Sequence, residues 1–300
     1  MNRSGTPERK TLIRLVPWLL RACWIGVLVV GGSAIDSAVA GQSEAVANVS
    51  RYGAGVVWLI GVAAMAIPAV TSLTATRAIA PLSAVVAGLA LLSGADPFEG
   101  WMFAAASAVT CVVAFASETA RVFVQASAYG DEDRYPLRPP RSYALAAVIA
   151  WLMWSASLIS GPLLVAAQQW IAGVVVSCVA IGSSVVLWPR WHRLSVRWFV
   201  IVPIGVVIHD PIVLAETLML RRSEIAALHL APEASRAADL TGSAGGPAIE
   251  IVTRQAVTAL LAMPTAETPS DVIHLTACLV RPSRPGQVLT AALNRRLPVG

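Results

Sequence analysis

The sequence predicts an α-helical transmembrane bundle of six spans followed by a small α+β domain, and three observations carry that prediction. The chain of 300 residues is 56% hydrophobic and 13% charged, whereas soluble domains carry about 25% charged residues. Its charges are gathered between long uncharged apolar runs. That apolar character stops at Trp188-Pro189-Arg190-Trp191-His192-Arg193, and from Leu194 charges return every few residues. The break divides a membrane part, residues 1–193, from a water-facing part, residues 194–300.

A spanning helix needs about 20 mostly apolar residues. The first run extends from Leu15 to about Ser37, the second from Val56 to Thr74, the third from Ile79 to Ala95 and the fourth from Trp101 to Ser117. Ser142 to Pro189 is uncharged and too long for one crossing, so a turn at Gly161-Pro162 or at Gln168-Gln169 makes it two, near 143–161 and 169–188. Ala38-Val39-Ala40 has the small residues of a signal-peptidase site, but the apolar run before it exceeds the usual signal core of about 7 to 15 residues. The first span is therefore expected to stay as an anchor. Small residues four apart at Ala80, Ala84 and Gly88, at Ala104 and Ala108, and at Gly173 and Ser177 predict close helix approach.

Orientation follows from the arginines, because cytoplasmic loops are enriched in basic residues. With both termini in the cytoplasm, the inner face receives Arg3, Arg9, Lys10, Arg14, Arg77, Arg121, Arg134, Arg138, Arg141, Arg190, Arg193 and Arg197, while the outer loops hold Arg51. Tryptophans favour the headgroup level, and Trp58, Trp101 and Trp170 fall at expected outer ends, Trp18, Trp188 and Trp191 at inner ones. Trp151 and Trp154 lie deep in the fifth span and, with Gln168, are candidates to line a bundle cavity. The loop from Glu118 to Arg141, with its Asp131-Glu132-Asp133 triplet and prolines, reads as a solvated connector, with partner docking as the alternative.

In the tail, short apolar runs separated by turn residues read as strands. Arg197–Val202, Gly205–His209, a continuation over Ile212–Leu220, Ala248–Arg254, Ala256–Ala262 and Val272–Val280 are the candidates. The connector 231–246 is rich in small and polar residues and reads as loop. Val288, Leu289, Ala292 and Leu293 share one face of a final helix over 285–296, with Ser283 as its expected N-cap. In Arg197-Trp198-Phe199-Val200-Ile201-Val202, Gly205-Val206-Val207-Ile208, Leu218 to Ile225 and the last helix, this strand order resembles the pleckstrin-homology-like domains on the cytoplasmic side of bacterial membrane proteins. The whole layout is similar to multi-pass membrane proteins of actinobacteria, a likeness that implies no particular activity.

No motif names a reaction. The four cysteines are isolated from one another and make neither a zinc pattern nor a disulfide framework. His209-Asp210 is the sharpest titratable pair, but neighbours on a strand point to opposite faces, and no cofactor or metal is implied. Arg221, Arg222, Arg284, Arg295 and Arg296 are candidate contacts for a protein partner or the anionic leaflet. Nucleic acid is not an expected partner, because aromatic residues are not interleaved with these arginines. The expectation is a non-enzymatic adaptor or scaffold of the cell membrane, with a small-molecule transporter as the alternative.

Overall fold

The computed structural model describes residues 7–262 and 272–300, with side chains from Leu15 onward; Arg3 and the side chains of Arg9, Lys10 and Arg14 lie outside the described residues. Six helices are long and apolar enough to cross a membrane: Leu15–Val39 within α1 (Pro7–Val39), α2 (Glu44–Ala66), α3 (Val70–Leu92), α4 (Pro97–Phe115), α6 (Arg141–Ala166) and α7 (Trp170–Ser195). Between α4 and α6 lies a short helix, α5 (Ser117–Gln125).

The ends differ from those the apolar runs suggest. Ser43 caps α2 through its side chain, so that helix begins twelve residues before Val56 and Trp58 sits in its interior. Pro68 forces the residue before it out of the helical region, and Ile67 is extended at φ −118° and ψ 111°. Helix α2 therefore stops at Ala66 and α3 begins at Val70, which moves Arg77 from a loop onto α3, its guanidinium 5.7 Å from the Phe115 ring centre. The turn between α6 and α7 falls at Gln168, at φ 63°, while Pro162 lies inside α6.

The chain divides into two compact units, which among the described residues are 7–123 with 147–191, and 124–146 with 192–262 and 272–300. In the first, small residues and tryptophans bring the helices together. Trp24 and Trp58 each donate the indole N–H to the other's backbone carbonyl at 3.0 Å, joining α1 to α2. Gly61 makes room for this pair, since a Cβ there would fall 2.3 Å from the Trp24 ring. One turn away Arg21 donates to the carbonyls of Met65 and Ala66, at 3.0 and 2.6 Å. These last carbonyls of α2 have no helical donor, so a cation there satisfies both the hydrogen bonds and the helix dipole.

At the opposite end of α1, Asp36 pairs with Arg51 at 2.6 Å. Helices α6 and α7 approach closely where Gly161 meets Ser177 and Gly173 meets Val165, as the small residues at 173 and 177 suggest. In α3 and α4 the buried row is not the expected one. Ala80, Ser83, Ala87 and Ala90 face inward on α3, and Phe103, Ser107, Thr110 and Ala114 on α4, leaving Ala84 and Ala108 exposed. Side-chain bulk at Phe103 selects the face, because its ring fills the space left by Gly31.

The second unit contains two four-stranded sheets around one core. The first sheet has the order β1 (Asp133–Pro136), β2 (Trp198–Val202), β3 (Gly205–His209) and β4 (Leu218–Arg221), antiparallel throughout. The second has the order β5 (Ile225–Leu230), β7 (Ile249–Leu260), β8 (Val272–Val280) and β6 (Ala238–Asp239), with β6 parallel to β8. Helix α8 (Pro285–Asn294) closes the core with Val288 and Ala292. The two runs expected as separate strands over 248–262 are one strand, β7, interrupted by a bulge between Val252 and Val257. Of Ile212–Leu220 only Leu218–Leu220 is strand, within β4, and the residues before it form turn, bend and irregular backbone around an isolated bridge at Leu214. Ser283 does not cap α8: Arg284 occupies that position, and Ser283 donates its N–H and hydroxyl to the Pro136 carbonyl at 2.9 and 3.1 Å.

The main departure from the sequence reading is β1. It comes from the loop between the fourth and fifth spans, which is therefore part of a folded domain and not a solvated connector. Tyr135 and Leu137 enter the core beside Phe199 and Ile201. Strands β1 and β2 are neighbours, yet the whole α6–α7 hairpin stands between them in the chain, where an ordinary β-hairpin has a tight turn. Four residues, Leu137–Pro140, lead into α6 and two, Val196–Arg197, lead out of α7. Because β1 pairs with β2, the loop and the tail lie on the same side of the bilayer.

Arg197 clips the base of this insertion. Its Nε and Nη2 bind the two carboxylate oxygens of Asp210 at 2.7 and 2.5 Å, and its Nη1 donates to the Arg138 carbonyl at 2.7 Å. Both partners are buried, and Asp210 also accepts from the backbone N–H groups of Ile212 and Val213 at 3.2 and 3.3 Å.

Candidate partner surface

Strand alternation places Phe199 and Ile201 in the core and turns Trp198 to the other face of the first sheet. There Trp198 stacks on His209, its cross-strand partner, with ring centres 5.0 Å apart and planes 25° apart. The Arg134 guanidinium lies 5.0 Å from the Trp198 ring centre and 6.0 Å from that of Tyr129. Glu132 fixes it by accepting from Nε at 3.1 Å and Nη2 at 2.8 Å. The Gln125 side chain holds the same segment, accepting from the Arg134 backbone N–H and donating to the Glu132 carbonyl, each at 2.8 Å. Tyr129 is 86% exposed.

His209 also hydrogen-bonds Thr217 through Nδ1 at 2.9 Å. Its pKa lies below the ordinary 6.5, chiefly because burial disfavours the cation; the Arg134 charge adds to this and Asp210 opposes it. Such a histidine binds fewer protons folded than unfolded. Its contribution to stability is thus complete above pH 6.5 and is lost as the pH falls from there toward the folded value. The urea midpoint of the domain should fall over that window, and His209→Gln should flatten this dependence.

Among the described residues no group of three or more histidines, cysteines, aspartates or glutamates has metal-site geometry, and all four cysteines are unpaired. Burial, with the Glu250 charge adding, pushes the Cys278 thiol up to about 12, which removes it from nucleophilic chemistry. No family model, curated protein or solved structure matches this chain. The geometry of its own residues is therefore the ground for a functional reading.

The candidate residues read from the sequence are distributed as follows. Arg222 donates to the carbonyls of Pro203 and Arg295 at 3.3 and 2.6 Å, so Arg221, Arg222, Arg295 and Arg296 share one corner of the domain. Arg284 lies at the other end of α8. Arg295 is committed internally, with Asp131 at 2.8 Å and Asp133 at 3.0 Å. Burial works against its charge, but these two carboxylates hold its pKa above the ordinary value.

In the membrane unit, Trp151 donates to the Ala78 carbonyl at 2.9 Å and Trp154 to the Ser184 hydroxyl at 2.7 Å. Trp154 also meets Trp191 edge to face at 5.3 Å. Gln168 is exposed in the α6–α7 turn, twelve residues of helix or more beyond Trp154. The three do not converge on one cavity. The Tyr129, Arg134, Trp198 and His209 cluster was not anticipated, because its parts become neighbours through the β1–β2 pairing. The single available signal was Trp198 opening an alternating apolar run.

Proposed function

We propose that this chain is a non-enzymatic adaptor of the cell membrane, with both termini in the cytoplasm, whose pleckstrin-homology-like domain binds a protein partner through the Tyr129, Arg134, Trp198 and His209 face. The observation that carries this reading is the composition and stiffness of that face. Tryptophan, tyrosine and arginine are the residues that dominate binding energy at protein interfaces, and here they are stacked and tethered before any partner arrives, which lowers the ordering cost of binding. The domain type is supported by its order: a four-stranded antiparallel meander, a second sheet, then a C-terminal helix. The orientation is supported by Arg121, Arg134, Arg138, Arg141, Arg190 and Arg193, which border or belong to the side holding the loop and tail.

The test places a photo-crosslinking residue at Thr217 or Met219 of the full chain in its native membrane. A discrete protein adduct is expected, reduced about 30-fold or more by Trp198→Ala, a loss of the size that truncating an interface anchor causes, with the domain still folded and unfolding cooperatively in urea. Adducts to lipid alone would replace the protein partner with the leaflet. If Trp198→Ala is silent while Trp154→Ala abolishes uptake of a solute, the transporter reading replaces the adaptor.

A further inference from the structure

The loop Thr241-Gly242-Ser243-Ala244-Gly245-Gly246 follows β6. Positive φ angles recur along it, at Gly242 (61°), Ser243 (59°) and Gly246 (95°). Backbones turned in this way point successive N–H groups into one concavity, an arrangement that binds anions. Only the Thr241 and Ala244 N–H groups have acceptors here, Asp239 Oδ1 at 2.8 Å and the Thr241 carbonyl at 3.4 Å. The Thr241 hydroxyl is buried without a hydrogen-bond partner.

Three arginines meet this loop. Continuing the parallel β6–β8 register, in which Asp239 is opposite Leu279, sets Thr241 beside Arg281. The Arg281 Nε is itself buried and unpartnered. Arg138 donates its backbone N–H to the Arg281 carbonyl at 2.8 Å and its Nη1 to the Gly245 carbonyl at 3.2 Å. Arg141 packs so closely on Gly245 that a Cβ would fall 3.0 Å from its Nη2, and one at Gly246 would fall 2.5 Å from the Arg138 Nη1.

None of the three guanidinium groups forms an ion pair among the described residues. Two carboxylates lie close along the sheet, Asp239, whose Oδ1 accepts from the Thr241 N–H, and Glu250, each opposite Leu279 on a neighbouring strand; neither forms an ion pair with these arginines, and the Glu250 Oε2 is unpartnered. Three guanidinium groups with no ion-pair contact repel one another, and buried donors without acceptors cost free energy. A tetrahedral oxyanion answers both, since the planar fork of arginine matches phosphate geometry.

We propose that the Thr241–Gly246 loop, with Arg138, Arg141 and Arg281, binds a phosphate group carrying at least one free anionic oxygen. Arg141 is the first residue of the α6 span, so a lipid phosphodiester headgroup and a free phosphate both have access to the same chemistry.

The test uses the full chain and reads amide hydrogen exchange over residues 241–246. In an uncharged detergent, inorganic phosphate is expected to slow exchange about tenfold when its concentration is ten times its dissociation constant. Arg281→Gln should abolish this, as should Arg141→Gln, whose exposed side chain makes misfolding an inadequate explanation, while Arg254→Gln should leave it unchanged. Phosphatidylglycerol nanodiscs that protect the loop without added phosphate assign the lipid headgroup; phosphatidylcholine nanodiscs that protect it only with added phosphate assign the free ion. Absence of protection in every arm, or equal protection in Arg281→Gln, overturns the proposal.

Discussion

Replacing Arg197 with methionine should cost the domain about 3–5 kcal/mol, because it leaves the Asp210 carboxylate buried without its counter-charge. The guanidinium makes three hydrogen bonds inside the domain, two to Asp210 and one to the Arg138 carbonyl, and Asp210 keeps only the weaker backbone donors of Ile212 and Val213 when it is gone. The companion double variant, Arg197→Met with Asp210→Leu, removes both charges and should recover much of the loss, since a buried pair is often worth little relative to apolar residues of similar volume. Pulse proteolysis of the full chain across a urea series measures both. If the single variant unfolds at the wild-type midpoint, the pair contributes no more than a surface contact.

The second large effect concerns where the domain begins. A fragment of residues 194–300 contains β2 to β8 and α8 but lacks β1. It should be destabilised by about 3–6 kcal/mol, the loss of two buried side chains, Tyr135 and Leu137, and expose β2 as an unpaired edge prone to association. That is a large fraction of the roughly 5–15 kcal/mol that holds a domain folded. Joining residues 124–138 through an Asn-Gly turn to residues 196–300 should restore a cooperative, monomeric fold, because Pro136 and Trp198 are already cross-strand partners. Circular dichroism melting and sedimentation of the two proteins decide the matter: equal stability would mean that β1 is an accessory strand.

Both expectations turn on features that the sequence displays unequally. The six spans were legible because bilayer-length apolar runs have few alternative uses. Their ends were not, since Glu44 to Ser50 is polar enough to read as loop, yet its helix is started by the Ser43 cap. Asp133-Arg134-Tyr135-Pro136 carries no apolar alternation and contains a proline, so nothing local marks it as a strand. It is one because β2 offers it an edge 62 residues later, and proline is tolerated on an edge strand. Arg197 resembles its neighbours Arg190 and Arg193, all reading as inner-face anchors; its burial depends on Asp210, thirteen residues away. Strand β3, by contrast, coincides with its expected limits and β2 differs from its own by one residue, Arg197, because alternation and the turn between them are local properties.

The insertion of α6 and α7 between two paired strands also bears on how the protein is made. During synthesis β1 emerges first, and its partner follows only after both helices have been translated. At about 5–20 residues per second, the intervening residues occupy the ribosome for several seconds, during which Tyr135 and Leu137 have no core to enter. Pairing of β1 with β2 requires an even number of crossings between them: insertion of one of the two helices without the other would leave the strands on opposite faces of the membrane, unable to pair, with an open strand edge.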